Sequence, residues 1–168
     1  LNSVFFMPYL WNVLPTSLIY FSLGINIIGG TDQHPMSKLP PNLKEFSLDM
    51  DGSGRWEIPK DDQFNPKLEK ILLRGKITTK GTDGLDCKVF NFTLKSLSAW
   101  GVRLINTEQF PKSLTYFELS GGSEFDGIDG LSPYLSDSME ILLLKSYDMV
   151  DVSKFPTNLT NVCLRSYT

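Results

Sequence analysis

Leu14-Pro-Thr-Ser-Leu18-Ile-Tyr-Phe21-Ser-Leu23 is a phrase that the chain repeats. It returns as Leu39-Pro-Pro-Asn-Leu43-Lys-Glu-Phe46-Ser-Leu48, as Phe110-Pro-Lys-Ser-Leu114-Thr-Tyr-Phe117-Glu-Leu119, and as Phe155-Pro-Thr-Asn-Leu159-Thr-Asn-Val162-Cys-Leu164. The template is Leu or Phe, Pro, two residues, Leu, two residues, an apolar residue, any residue, Leu or its equivalent. Looser copies fill the gaps. Phe64 to Leu68 leads to Ile71 and Leu73, Phe90 to Leu94 leads to Leu97 and Ala99, and Leu135 to Met139 leads to Leu142 and Leu144. The chain opens with Leu1, Val4 and Phe6 at the three apolar positions. The anchors Leu18, Leu43, Leu68, Leu94, Leu114, Met139 and Leu159 are therefore spaced by 25, 25, 26, 20, 25 and 20 residues. Two further features recur independently of these apolar positions. Each of these seven copies carries Leu or Phe four residues before its anchor, and four of the ten prolines fall three residues before an anchor.

Alternation around each anchor predicts a short strand with one apolar face. No copy can bury that face alone, so copies must stack and share one continuous core. The result is a mainly β solenoid with little helix and one parallel sheet of about eight strands. These are expected at 1–6, 19–23, 44–48, 69–73, 95–99, 115–119, 140–144 and 160–164, paired in chain order. Between strands, repeats of 20 residues leave room for a turn, an extended or 3₁₀ piece and the Pro-led return. Leu97, Phe117 and Leu142 should be buried and stacked in register. The inserts at 49–54, 81–86 and 121–130 are rich in Gly and Asp, which favour tight turns.

The L-x-x-L-x-L pattern resembles the leucine-rich repeat family over essentially the whole chain. The Leu-Pro-x-x-Leu opening is similar to the short-repeat varieties: FNIP repeats, the repeats of some fungal F-box proteins and those of secreted bacterial ubiquitin ligases. One departure is plain. The family's asparagine eight residues after the anchor is present only as Asn26, with Asp51, Lys76, Val102, Gly122, Tyr147 and Tyr167 in the other copies. The turn after each strand is accordingly expected to be irregular.

The resemblance implies a curved solenoid that binds proteins on its concave sheet surface. Side chains between the strand leucines point away from the core. They form one row of Tyr20, Glu45, Lys70, Ser96, Tyr116, Ile141 and Asn161, and a second of Ser22, Ser47, Leu72, Ser98, Glu118, Leu143 and Cys163. A third holds Gly24, Asp49, Arg74, Trp100, Ser120, Lys145 and Arg165. Early repeats present small and acidic residues. Middle and late repeats present Leu72, Arg74, Trp100, Tyr116, Ile141, Leu143 and Lys145, and aromatic, aliphatic and Arg residues are typical interface anchors. These seven are the candidate partner-binding residues. In the resembling ligase families such repeats hold a substrate while another domain handles ubiquitin transfer. That role is the leading functional expectation, and an extracellular or cell-surface recognition module is the alternative.

Composition narrows the field. The chain has 168 residues, 21% of them charged, and a net charge of −3. A nucleic-acid binder normally carries a basic surplus. Residues 1–31 hold no charge, but Asn2, Ser3, Pro8, Asn12 and Pro15 interrupt the run, which argues against a membrane span. The chain starts at a core leucine rather than Met and stops just after a strand. It reads as a single domain over 1–168, a piece of a longer protein cut at both ends.

Nothing in the sequence assembles a catalytic or metal site. Asp49-Met-Asp51-Gly-Ser53-Gly54 starts like a calcium loop, but its twelfth residue is Lys60 rather than the required Glu. Residues 121–130 resemble a single imperfect copy of a calcium-binding nonapeptide that works only in arrays. His34 is the only histidine and no nucleophile elbow occurs. Cys87 and Cys163 make no CxxC pair, and nothing beside Cys87 marks it as reactive. The expectation is a non-enzyme with no catalytic, cofactor or metal residues, no small-molecule substrate, and a protein partner rather than nucleic acid or membrane. Asn91-Phe-Thr93 and Asn158-Leu-Thr160 are glycosylation triplets of the kind that arise by chance. A cytoplasmic location is expected, with secretion as the alternative.

Overall fold

Every copy of the phrase begins with a closed turn. The anchor N–H donates to the carbonyl of the residue three back: Leu43 to Pro40 and Leu18 to Pro15 at 3.1 Å, Leu68 to Asn65 at 3.0 Å, Met139 to Ser136 at 2.9 Å. Leu94, Leu114 and Leu159 do the same. Proline suits the first position because its ring fixes φ and that site needs only a carbonyl. The Leu or Phe before it is a core residue, as Leu39, Phe64, Phe90 and Phe110 are all buried. Short 3₁₀ turns at Met36–Lys38, Cys87–Val89, Thr107–Gln109 and Val152–Lys154 deliver the chain to this point.

The structure, a computed structural model, describes residues 12–33, 35–120, 135–145 and 152–165. Its strands are β1 (Tyr20–Asn26), β2 (Thr31–Gln33), β3 (Glu45–Asp51), β4 (Arg55–Ile58), β5 (Lys70–Arg74) and β6 (Ile77–Thr79). They continue as β7 (Leu85–Asp86), β8 (Ser96–Trp100), β9 (Leu104–Ile105), β10 (Tyr116–Ser120), β11 (Ile141–Lys145) and β12 (Asn161–Arg165). One seven-stranded parallel sheet runs β1-β3-β5-β8-β10-β11-β12, one strand per repeat and in repeat order. The architecture is a parallel-strand solenoid, as the repeat predicts. The expected strand at 1–6, His34 and the insert at 121–130 lie outside the described residues.

Three differences have physical reasons. Each strand starts and ends at least one residue later than expected, because the anchor N–H closes the turn and the ladder begins beyond it. In β1 and β3 the alternation simply continues, with Ile25 opposite Met50, and both strands run to their seventh residue. Asp49 and Asp51, read as part of a turn-rich insert, are strand residues of β3. There is also more than one sheet. β2-β4-β6 and β7-β9 form two small parallel sheets from the segments between main strands. Trp56, Ile58 and Ile77 of the former and Leu85 and Leu104 of the latter are buried.

The core is a set of stacked rows. Leu97, Phe117 and Leu142 are mutual register partners and fully buried, as are Ala99 and Leu119 in the next row, where Leu144 is 1% exposed. Phe21 stacks on Phe46 at 6.2 Å and Phe64 on Phe90 at 5.9 Å, with planes 3° apart. Offset aromatic stacks at such distances add to the burial of area.

Side chains tie the turns together from copy to copy. The Asn65 amide donates to Pro40 O at 2.7 Å, and Asn91, at the same repeat position, donates to Asn65 O at 2.7 Å. Ser136 at that position donates to Lys112 O. One residue before the anchors, Asn42 donates to Thr16 O at 3.0 Å, Thr93 to Pro66 O at 2.5 Å and Asn158 to Asp137 O at 2.6 Å. These bonds satisfy turn carbonyls that no strand partner reaches. A polar ladder thus links the turns that lead into the strands of the main sheet.

Candidate partner-binding face

Register fixes which side chains share the open face of the sheet. The strand pairing reproduces all three outward rows expected from the sequence: Lys70, Ser96, Tyr116 and Ile141 align in the first. Leu72, Ser98, Glu118 and Leu143 align in the second, and Arg74, Trp100, Ser120 and Lys145 in the third. Gly75 and Gly101 follow Arg74 and Trp100 directly and turn the chain out of β5 and β8 with φ of 102° and 70°. A Cβ on Gly75 would sit 2.7 Å from both Cβ and O of Met50, so a side chain there would displace the end of the strand carrying Arg74.

The seven candidate residues are brought onto one side of four adjacent strands, each strand about 4.8 Å from the next. Trp100 lies at their centre and is partly buried. The Arg74 guanidinium, on the adjacent strand, sits 5.8 Å from its ring centroid, and the Lys145 ammonium, reaching across from two strands away on the other side, sits at 6.0 Å, two cation–π contacts. The indole Nε1 is closed to solvent and has no hydrogen-bond partner among the described residues. Leu72, Ile141, Leu143 and Tyr116 are half-buried on the same face.

Glu118, an outward residue absent from the candidate set, organises the late half of the face. Lys145 Nζ bonds its Oε1 at 2.6 Å, while Tyr116 OH and Ser98 Oγ donate to its Oε2 at 3.1 and 3.3 Å. Burial pushes its carboxyl up, but the bonds from Lys145 and Tyr116 and the Lys145 charge outweigh this and hold it below the ordinary value. Burial, then the Glu118 charge, pushes the Tyr116 hydroxyl up. No local motif marks it; the one hint lies across strands, a lone carboxylate in its outward row one strand from a lysine. On the early side the charges alternate in sign across strands. Glu45 pairs with Lys70 and Asp49 with Arg74, both at 3.6 Å. One residue before the strands, Lys44 and Lys95 flank Glu69 at 3.6 and 3.0 Å, and the Lys95 hydrogen bond leads in holding the Glu69 carboxyl low.

A solved structure described as CroV588, a novel circular LRR protein, superposes on this chain with a TM-score of 0.58 at 21% identity, over 92% of this chain. The fold is a leucine-rich repeat solenoid. The chain spans 25% of the length of that circular protein. No protein-family model and no curated protein sequence matches the chain.

Other groups on the solenoid have structural work. Cys87 is fully buried at the head of a 3₁₀ turn, and burial, then Asp86 and Glu108, pushes its thiol far above the ordinary range. The Asn91 amide is buried in the turn ladder, so that triplet is part of the fold, whereas Asn158 makes its ladder bond to Asp137 O from an exposed position. Among the described residues no group of three or more His, Cys, Asp or Glu is placed to hold a metal, and no helix is long and apolar enough to cross a membrane. A cleft of about 670 Å³ lies beside the pre-strand turns, walled by Pro41, Asp61, Lys67 and Phe92. Phe92 there is 81% exposed, more than any aromatic of the open sheet face.

Proposed function

We propose that this chain is a protein-interaction scaffold whose partner docks on the open sheet face of β5, β8, β10 and β11. The observation that carries this is Trp100. A large ring stands on a rigid sheet between two cations, with Leu72, Tyr116, Ile141 and Leu143 on the same face. Such a ring offers much area at small entropic cost. The role fits substrate recognition for a ubiquitin ligase, as in the families whose short Leu-Pro-x-x-Leu repeats it resembles, with ubiquitin transfer carried out elsewhere. Neither a nucleic acid nor a membrane fits this face as well as a protein, and the binding is not catalytic. A cytoplasmic setting agrees with two free cysteines and with an Asn91 amide committed to the fold. The exposed Asn158 triplet favours the second reading, a cell-surface recognition module.

The test compares wild type with Trp100→Ala in pull-downs from native extract, alongside melting curves of both. Loss of specific partners with a melting temperature near that of wild type is expected. A hot-spot tryptophan is worth about 2 kcal/mol or more of binding. An unchanged partner list rejects this face.

A further inference from the structure

The two cations on Trp100 are held very differently. Lys145 is pinned: its ammonium lies 2.6 Å from a Glu118 carboxylate that is itself nearly buried and fixed by two hydroxyls. Arg74 is loosely held. Its ion pair to Asp49 spans 3.6 Å, and both side chains are about half exposed. An exposed pair of that length contributes little and exchanges readily for a better one. The guanidinium is a planar fork suited to a carboxylate, and bidentate pairing exceeds what Asp49 provides. The cation–π contact holds the guanidinium beside the Trp100 ring, 5.8 Å from its centroid. The field agrees. From β5 onward the third row holds Arg74, Trp100, Ser120, Lys145 and Arg165, three cations and no carboxylate, in a chain whose net charge is −3.

We propose, on the footing of the protein-binding reading above, that the open face reads an acidic side chain of its partner through Arg74. The partner presents a Glu or Asp in an otherwise apolar patch. Its carboxylate displaces Asp49 and forms a bidentate pair with Arg74. Its apolar neighbours pack on Trp100, Leu72 and Leu143. Lys145 serves to hold Glu118 and the late strands, and takes no direct part in reading the acid.

The test uses a displayed library of random twelve-residue peptides, selected on the full chain and counter-selected on Trp100→Ala. Dissociation constants are then measured for the selected peptides, for versions with each acid changed to its amide, and for Arg74→Gln and Arg74→Lys chains. Melting curves confirm that both variants fold. The expected result is a carboxylate whose amide binds at least tenfold more weakly. Arg74→Gln should lose the same factor, with no further loss for the amide peptide, and Arg74→Lys should fall between. Affinity should drop as salt rises. Trp100-dependent peptides whose acids are uncoupled from Arg74 would overturn this proposal while leaving the binding face intact. Failure to select any Trp100-dependent peptide would overturn both.

Discussion

The two faces of one strand obey different rules. Along β10 the inward residues are Phe117 and Leu119, and the outward ones are Tyr116, Glu118 and Ser120. The inward row is the same kind of residue in every copy, because each must fit the hole left by the copies on either side. The outward row changes from strand to strand: Asp49, then Arg74, then Trp100, then Ser120, then Lys145. Nothing in the stack demands any of these. Uniformity therefore reports what the fold requires, and variation reports what the surface is free to specialise in.

Removing a ring from the uniform face should have the largest effect. Phe117 is fully buried between Leu97 and Leu142 and meets Phe110 edge-on at 5.0 Å. Phe117→Ala should cost about 3–5 kcal/mol of stability, read by urea titration. A loss under about 1 kcal/mol would erase the distinction between the faces. The turn ladder comes next. Asn65→Ala removes the buried donor to Pro40 O and the part-buried acceptor for the Lys67 N–H, and should cost about 1–3 kcal/mol.

The specialised face should respond to pH rather than to denaturant alone. The Glu118 carboxyl titrates below its unfolded value of about 4.5, so it contributes stability above that range and loses it as pH falls through the folded value. Wild type should therefore lose more stability than Glu118→Gln between about pH 6 and pH 3. Equal slopes in the two melting series would mean that the Lys145 bond does not operate. The exposed pair of Glu45 and Lys70 lies at the small end. Lys70→Ala should change stability by no more than about 0.5 kcal/mol.

The uniform face was legible in the sequence because stacking forces identical residues to recur at fixed offsets. From those offsets all three outward rows followed without error, since a strand alternates strictly. What was not legible depends on contacts between copies rather than on the copies themselves. β2, β4 and β6 share no template: Thr31–Gln33, Arg55–Ile58 and Ile77–Thr79 pair only because the stack brings them side by side. The turn ladder was hidden for a related reason. Asn65, Asn91 and Ser136 occupy the proline position of the phrase, so they look like imperfect copies rather than bridging groups. The importance of Glu118 lay across strands, in Lys145 and Ser98, and no local motif could show it.

Trp100→Ala separates the two faces most directly. It sits one residue past the last inward position of β8 and two strands from Lys145. A urea titration of this variant should place its stability within about 1 kcal/mol of wild type, while the protein captures the partners of wild type no longer. A loss of the size expected for Phe117→Ala would mean that Trp100 belongs to the core, and would contradict the assignment of its face to binding.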